Sequence, residues 1–139
     1  MKIANSTVSV KTPARVAVVN VTAEARKALS HAGIERGLAL FTITHTTCGL
    51  CVNEDEAGLR EDLVRLASRL VDVVRPEAGF RHDCVDDNAR AHLTAVLFGH
   101  SVTLPVAGGG LVLGTWQSVF LIEIDGPRTR RLDMAFLGD

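Results

Sequence analysis

Polar and ionisable residues of this 139-residue chain gather in four stretches. The first is His45-Thr46-Thr47, with Asn53-Glu54 eight residues on. If the chain turns back after Gly49, the imidazole and the carboxylate lie near one sheet end. They would then suit a general acid/base pair or half of a metal site. The alternative is that Thr46 and Thr47 serve a turn while Asn53 and Glu54 cap the helix that follows. The second stretch is Cys48-x-x-Cys51. This is half of a zinc or redox spacing, but it has no second pair and only Cys84 elsewhere. In an extended segment the two thiols face opposite ways, which reads as two small core residues. The third is His82-Asp83 with Asp86-Asp87-Asn88 and His92, a loop histidine and a helix histidine among carboxylates. That mixture suits a divalent metal or proton transfer, or else an ordinary acidic loop beside a histidine bonded to backbone. The fourth holds Gly108-Gly109-Gly110, Gly114-Thr115-Trp116-Gln117, Glu123, Asp125-Gly126-Pro127-Arg128, Arg130 and Arg131. Glycines let a ligand approach backbone N–H groups, and arginines grip phosphate. No Gly-Lys-Ser/Thr follows the triple glycine, so it is no P-loop, and it reads most simply as a hairpin turn. Glu123 stands in an apolar strand, and a carboxylate buried there needs an arginine or histidine partner.

The elements that must position these residues follow from periodicity and punctuation. Ser6–Val10 and Ala14–Asn20, around Thr12-Pro13, read as a β-hairpin. Thr22 caps a helix that Gly33 stops. Gly37–Thr44 is a strand. Leu59, Leu63, Leu66, Leu70 and Val73 form one stripe of a long helix, with Asn53 to Glu56 at its N-terminal end and Pro76 beyond its end. Asn88 caps a shorter helix to Phe98. Strands follow at His100–Val106, Leu111–Leu113, Ser118–Ile124 and Arg130–Leu137. The pattern is α+β with a largely antiparallel, hairpin-linked sheet system, in one domain over residues 1–139.

Fifteen basic residues against sixteen acidic ones exclude a chain-wide nucleic-acid footprint. A composition 47% apolar and 22% charged excludes disorder and coiled coil. Three cysteines leave one over from any disulfide framework. No signal-like segment opens the chain, and no apolar run approaches the ~20 residues of a membrane span, so a cytoplasmic protein is expected.

Taken in order, His45-Thr46-Thr47, Val52-Asn53-Glu54, Arg81-His82-Asp83, Asp87-Asn88-Ala89, Ala91-His92-Leu93, Gly99-His100-Ser101-Val102, Leu113-Gly114-Thr115-Trp116-Gln117 and Asp125-Gly126-Pro127-Arg128 resemble the YjbQ-like family, secondary thiamine-phosphate synthases. The resemblance covers nearly the whole chain. It implies sandwich-like antiparallel sheets with packed helices, a homotrimer, and a pocket near subunit boundaries. That pocket would gather His45, Thr47, Asn53, Glu54, His82, Asp87, His92, Gln117 and Arg128, with Glu123. The implied activity is weak thiamine-phosphate formation: a pyrimidine-methyl pyrophosphate is joined to a thiazole phosphate, releasing pyrophosphate. Arg128 and backbone N–H groups near Gly114 and Gly126 would hold the leaving group. A divalent metal would assist. Mg²⁺ prefers oxygen ligands, whereas convergence of His45, His82 and His92 would favour Zn²⁺. A zinc site would fit a metal-dependent hydrolase of a phosphorylated metabolite, with Glu54 or Glu123 as base. A trimeric phosphate-ligand-binding protein without catalysis is the third expectation. The distances among the three rings discriminate these readings. His31 and His100 are expected to be structural. The family commonly has small or β-branched residues where Cys48 and Cys51 stand, which agrees with their reading as packing residues.

Overall fold

The computed structural model describes residues 1–139. Eight strands and three helices follow the order β1 (Lys2–Lys11), β2 (Ala17–Asn20), α1 (Thr22–Ala32), β3 (Arg36–Ile43), β4 (Cys48–Glu54), α2 (Ala57–Arg69), α3 (Ala89–Phe98), β5 (Ser101–Ala107), β6 (Gly110–Leu111), β7 (Gln117–Glu123) and β8 (Thr129–Gly138). Short 3₁₀ turns at Leu70–Val74 and Arg81–Cys84 lie between α2 and α3. The strands form two antiparallel sheets, one ordered β1-β8-β3-β5-β6 and the other β2-β7-β4. The fold is α+β, as expected. No helix is long and apolar enough to cross a membrane.

Strand β7 explains the layering. Its run Val119-Phe120-Leu121-Ile122 is apolar on both faces, and all four side chains are buried. Such a strand needs cover on both sides. Val119 and Leu121 join the core between the two sheets, with Leu132, Met134 and Phe136 of β8 and Ala25, Ala28 and Leu29 of α1. Phe120 and Ile122 face the other way, onto Leu63 and Ala67 of α2 and Ala91 and Ala95 of α3. Cys48 and Cys51 divide in the same manner. Cys48 lies in the inter-sheet core, while Cys51 packs beneath the helices.

The expected hairpin of the first two strands does not form. β1 pairs with β8 from Lys2↔Gly138 to Lys11↔Thr129, and β2 pairs with β7 in the other sheet. The chain changes sheets between β1 and β2, and again between β7 and β8, so β7 and β8 are no hairpin either. The two crossings run side by side. The Thr12 N–H donates to the Arg128 carbonyl, and the Gly126 N–H donates to that of Arg15. A turn signal of Pro and polar residues marks a reversal or a corner equally well, and burial of the strands decides which. The β5–β6 hairpin does form, turning through Gly108 and Gly109 at positive φ.

Two helix details also differ from expectation. The apolar stripe on α2 is displaced: Leu63, Ala67 and Val71 are buried and Leu66 is 46% exposed, while Val73, beyond the point where the helix gives way to a 3₁₀ turn at Leu70, is 90% exposed. The α2 cap comes from the expected acidic stretch, whereas those of α1 and α3 depart from expectation. The Glu56 carboxylate accepts from the Gly58 and Leu59 N–H groups at the start of α2. Asp83 Oδ1 accepts from the Ala89 N–H at the start of α3, a task expected of Asn88. At α1, Thr22 is the first helical residue, and its hydroxyl accepts from the Val119 N–H.

Candidate functional site: a histidine-lined cleft

The β3–β4 loop, the middle of α3 and the exit of that helix line a cleft of about 610 Å³. Three imidazoles line it: His45 from the loop, His92 from α3 and His100 just past the helix. Ile43, Cys48, Ala95 and Val96 supply its apolar wall. His82, on the 3₁₀ turn before α3, meets His92 edge to face with ring centroids 5.0 Å apart. His100, expected to be structural, is therefore a cleft residue. Nothing in its local sequence separates that role from a place in a turn.

His45 is held by its backbone surroundings. Its Nε2 accepts the Arg131 N–H at 3.0 Å, so in the neutral ring the proton sits on Nδ1. Burial lowers the pKa of this ring from 6.5, and the Arg130 charge beside it adds to the shift. Neither nitrogen then offers a free lone pair to a metal. His45, His82 and His92 do not form the expected three-ligand set: no group of three or more His, Cys, Asp or Glu side chains is placed to hold a metal ion.

Beneath the cleft lies a buried ion pair that closes the end of the sandwich. Glu123 is 0% and Arg130 4% exposed. Arg130 donates Nε to Glu123 Oε2 at 2.7 Å and a terminal nitrogen to Oε1 at 2.5 Å, a fork on a fork. Thr12 donates its hydroxyl to Oε2, and the Ile124 and Asp125 N–H groups reach Oε1. Burial alone would raise the Glu123 carboxyl, but these donors together hold it below its ordinary value. Arg130 also donates to Thr47 Oγ1 at 2.9 Å, fixing the loop that carries His45. Glu123 and Thr47 were expected to touch substrate. Both are buried and engaged here, and they position the loop. Cys48 sits beside this pair, and burial pushes its thiol up to about 11, so it is no nucleophile at neutral pH.

The remaining expected residues divide between two places. Asp87, Gly126 and Arg128 line a polar hollow of about 540 Å³ at the two sheet crossings. There Arg128 is tied to Asp125, Nε to the carbonyl at 2.7 Å and a terminal nitrogen to Oδ2 at 2.9 Å. The Gly126 N–H is already bonded, and a Cβ on this residue would stand 2.5 Å from the Ala14 carbonyl, so the glycine serves close packing. Asn53, Glu54, Gly114 and Gln117 lie elsewhere. Along β4 and β7, Cys48 pairs with Glu123 at one end and Glu54 with Gln117 at the other. Six residues at ~3.3 Å separate those ends by roughly 20 Å. The expectation that His45 and Glu54 share a sheet end is therefore overturned, because β4 runs straight on after Gly49. The capping alternative for Asn53 and Glu54 fails too, since both belong to β4. Gly114 donates its N–H to Gln117 Oε1 at 2.8 Å, which leaves no open backbone donor at that glycine.

Two facing antiparallel sheets, helices on one outer face and a histidine cleft at the sandwich end define a class of small α+β protein. The family described as UPF0047 protein YjbQ-like matches residues 6–139. A UPF0047 protein of Archaeoglobus fulgidus is 42% identical over 89% of this chain and 94% of its own length. One from Methanothermobacter thermautotrophicus is 36% identical over 99% and 94%. Among solved structures, a YbjQ-like protein of unknown function from Sulfolobus solfataricus P2 superposes with a TM-score of 0.92 at 34% identity, covering 99% of both chains. A hypothetical protein from Aeropyrum pernix K1 gives 0.90 at 38% identity, covering 98% of this chain and 99% of its own. The chain belongs to the YjbQ/UPF0047 family.

Proposed function

We propose that this chain is an enzyme for small phosphorylated molecules with the thiamine-phosphate synthase activity implied by its family resemblance. The reaction forms a bond from the thiazole nitrogen to the pyrimidine-methyl carbon and breaks that carbon's bond to pyrophosphate. The observation that carries the reading is the convergence of His45, His92 and His100 on one cleft with an apolar wall. Such a cleft suits a flat heteroaromatic ring with nitrogens to satisfy. His45, neutral and with its proton on Nδ1, is a hydrogen-bond donor there. Arg128, positioned by Asp125, is the cation for departing pyrophosphate.

We further propose a homotrimer. Val96 and Leu97 leave α3 exposed and apolar beside the cleft, and burial against a second copy would remove that surface from water. Association head to tail would also bring the Asn53–Glu54 end of one chain to the histidine end of the next, uniting residues that a single chain holds apart.

The test is formation of thiamine phosphate from the two purified substrates. His92→Gln is expected to lower the rate by roughly a hundredfold, the typical share of a positioned acid or base. Tight binding of both substrates without product would instead establish a non-catalytic binding protein. A metal-dependent hydrolase draws less support, because Glu123, one of its two expected bases, is sealed in its ion pair.

A further inference from the structure

The histidine cleft has two walls, and they are held in different ways. The loop wall, with His45, is pinned from below: Arg130 donates to Thr47 Oγ1, and the Arg131 N–H donates to His45 Nε2. The helix wall, with His92 and His100, is joined to the sheets where α3 ends. There the Leu50 N–H donates to the Gly99 carbonyl at 3.0 Å, and the Ile43 N–H donates to the His100 carbonyl at 3.0 Å. The Thr42 hydroxyl reaches the same His100 oxygen at 3.3 Å. Leu50 belongs to β4 and Ile43 to β3, so two consecutive carbonyls tie the helix exit to both sheets.

Gly49 is the strand residue beneath that exit. It is buried in β4 and does not adopt positive φ, so space and not backbone conformation requires glycine there. A Cβ on Gly49 would stand 2.5 Å from Phe98 Cβ and 3.1 Å from the Gly99 carbonyl oxygen. Glycine inside a strand marks such a close approach. Phe98 Cβ is fixed to the helix backbone, so no side-chain rotation relieves the contact. Non-bonded carbons rest about 3.5 Å apart or more, so a methyl group at Gly49 drives the end of α3 outward by about 1 Å. Ala91 and Ala95, small and buried with Phe120 and Ile122, also let the helix sit low on the sheet.

We infer that Gly49 is a positioning residue that sets the width of the histidine cleft, and through that width the size of ring the cleft accepts. Gly49 acts through His92 and His100, whose wall moves with the end of α3 while the wall of His45 stays pinned. Ring size rests on the heteroaromatic substrate proposed above; the width does not. One methylene in a fitted apolar pocket is worth roughly tenfold or more in discrimination. A wall displaced by about 1 Å gives up most of that discrimination, because the added carbon then finds room.

The test compares the pyrimidine-methyl pyrophosphate with its homologue carrying ethyl in place of the ring methyl group. The parent should favour the methyl compound roughly tenfold in kcat/KM. In Gly49→Ala that preference should fall close to one. The ratio of calorimetric affinities should fall in the same way, and it needs no turnover. A variant that loses both compounds equally has only been damaged, which overturns the inference. Gly49→Ala combined with Phe98→Gly keeps the new methyl group and removes the nearest carbon it meets, so the parental preference should return, also where Gly49→Ala alone does not fold. A double variant that stays unfolded, or that folds with the preference still lost, overturns the inference too. A crystal structure of Gly49→Ala, or of the double variant beside the parent, reads the width directly. In Gly49→Ala, His92 and His100 should stand about 1 Å further from His45. An unmoved helix end overturns the inference whatever the kinetics. If the walls part but the parent binds neither pyrimidine, the role of Gly49 is upheld and the substrate proposed above fails instead.

Discussion

Glu123 accepts five hydrogen bonds in the core, and removing it tests whether it is chemistry or structure. Glu123→Ala strands the Arg130 charge among apolar residues, so about 3–5 kcal/mol of stability should be lost. The double variant Glu123→Leu with Arg130→Leu removes both charges and should recover most of that loss. Urea midpoints of the two variants check this. A single variant that folds as well as the parent and fails only in catalysis would return Glu123 to the reacting groups. His45 makes a different prediction, in pH. Its folded pKa lies below 6.5, so as pH falls through 6.5 the unfolded chain takes the proton first. Stability therefore declines below that pH and is unaffected by this group above it. His45→Gln keeps an acceptor for the Arg131 N–H but cannot titrate. Its melting temperature should fall less between pH 7 and 5 than that of the parent, and parallel curves would remove His45 as the cause. At this scale the sequence was informative about partners. Glu123 in an apolar strand called for a cation, and Arg130 shares the parity of the inward-facing Leu132, Met134 and Phe136. The closeness of Gly49 to Phe98 carried no such signal, because a glycine kept for space and one kept for a turn look alike in sequence.

Helices were the more legible elements, since their periodicity and glycine stops are local, although α2 shows the limit of that rule. Its leucine stripe continues smoothly past Arg69, but the backbone tightens to a 3₁₀ turn there and rotates Val73 into solvent. Strand partners were not legible. Strands β1 and β2 are adjacent in sequence and lie in different sheets, a choice made by the burial of β7 on both faces over a hundred residues away. The two sheet crossings are where this architecture is most exposed to mutation. Gly126 approaches Ala14, Glu123 and Thr12 so closely that a methyl group there must displace backbone. Gly126→Ala should cost about 1–3 kcal/mol by overpacking. Because the crossing also carries Arg128 and abuts the Glu123 carboxylate, ligand affinity should fall with it. Chemical denaturation together with calorimetry checks both; an unshifted midpoint would show that the crossing yields easily. At α3 the cap is expected to matter in the same way. Asp83→Ala should cost about 1 kcal/mol and loosen the 3₁₀ turn that holds His82 against His92.

For the whole molecule, the separation of the two motif clusters has a consequence that one chain cannot show. His45, His92 and His100 stand at one end of the β4–β7 pair, and Asn53, Glu54 and Gln117 at the other, roughly 20 Å away. No side chain spans that distance, so within one chain the two clusters cannot act on one small substrate. In a closed head-to-tail ring each active centre would take its histidines from one subunit and its Glu54 from the next. Complementation distinguishes the two arrangements. Glu54→Gln and His92→Gln are each expected to keep no more than about a hundredth of the parent activity as pure assemblies. When the two chains are unfolded, mixed in equal amounts and refolded, a native centre arises wherever a Glu54→Gln chain lends its histidines to a His92→Gln neighbour. Each of those conditions holds at half of the positions, so about a quarter of the parent activity should return. Centres built inside single chains would return none, because every chain carries one lesion. Full activity of pure Glu54→Gln would place the far end of β4 outside the chemistry altogether. Sedimentation of the mixture must accompany the assay, since recovered activity counts only if the refolded species has the mass of three chains.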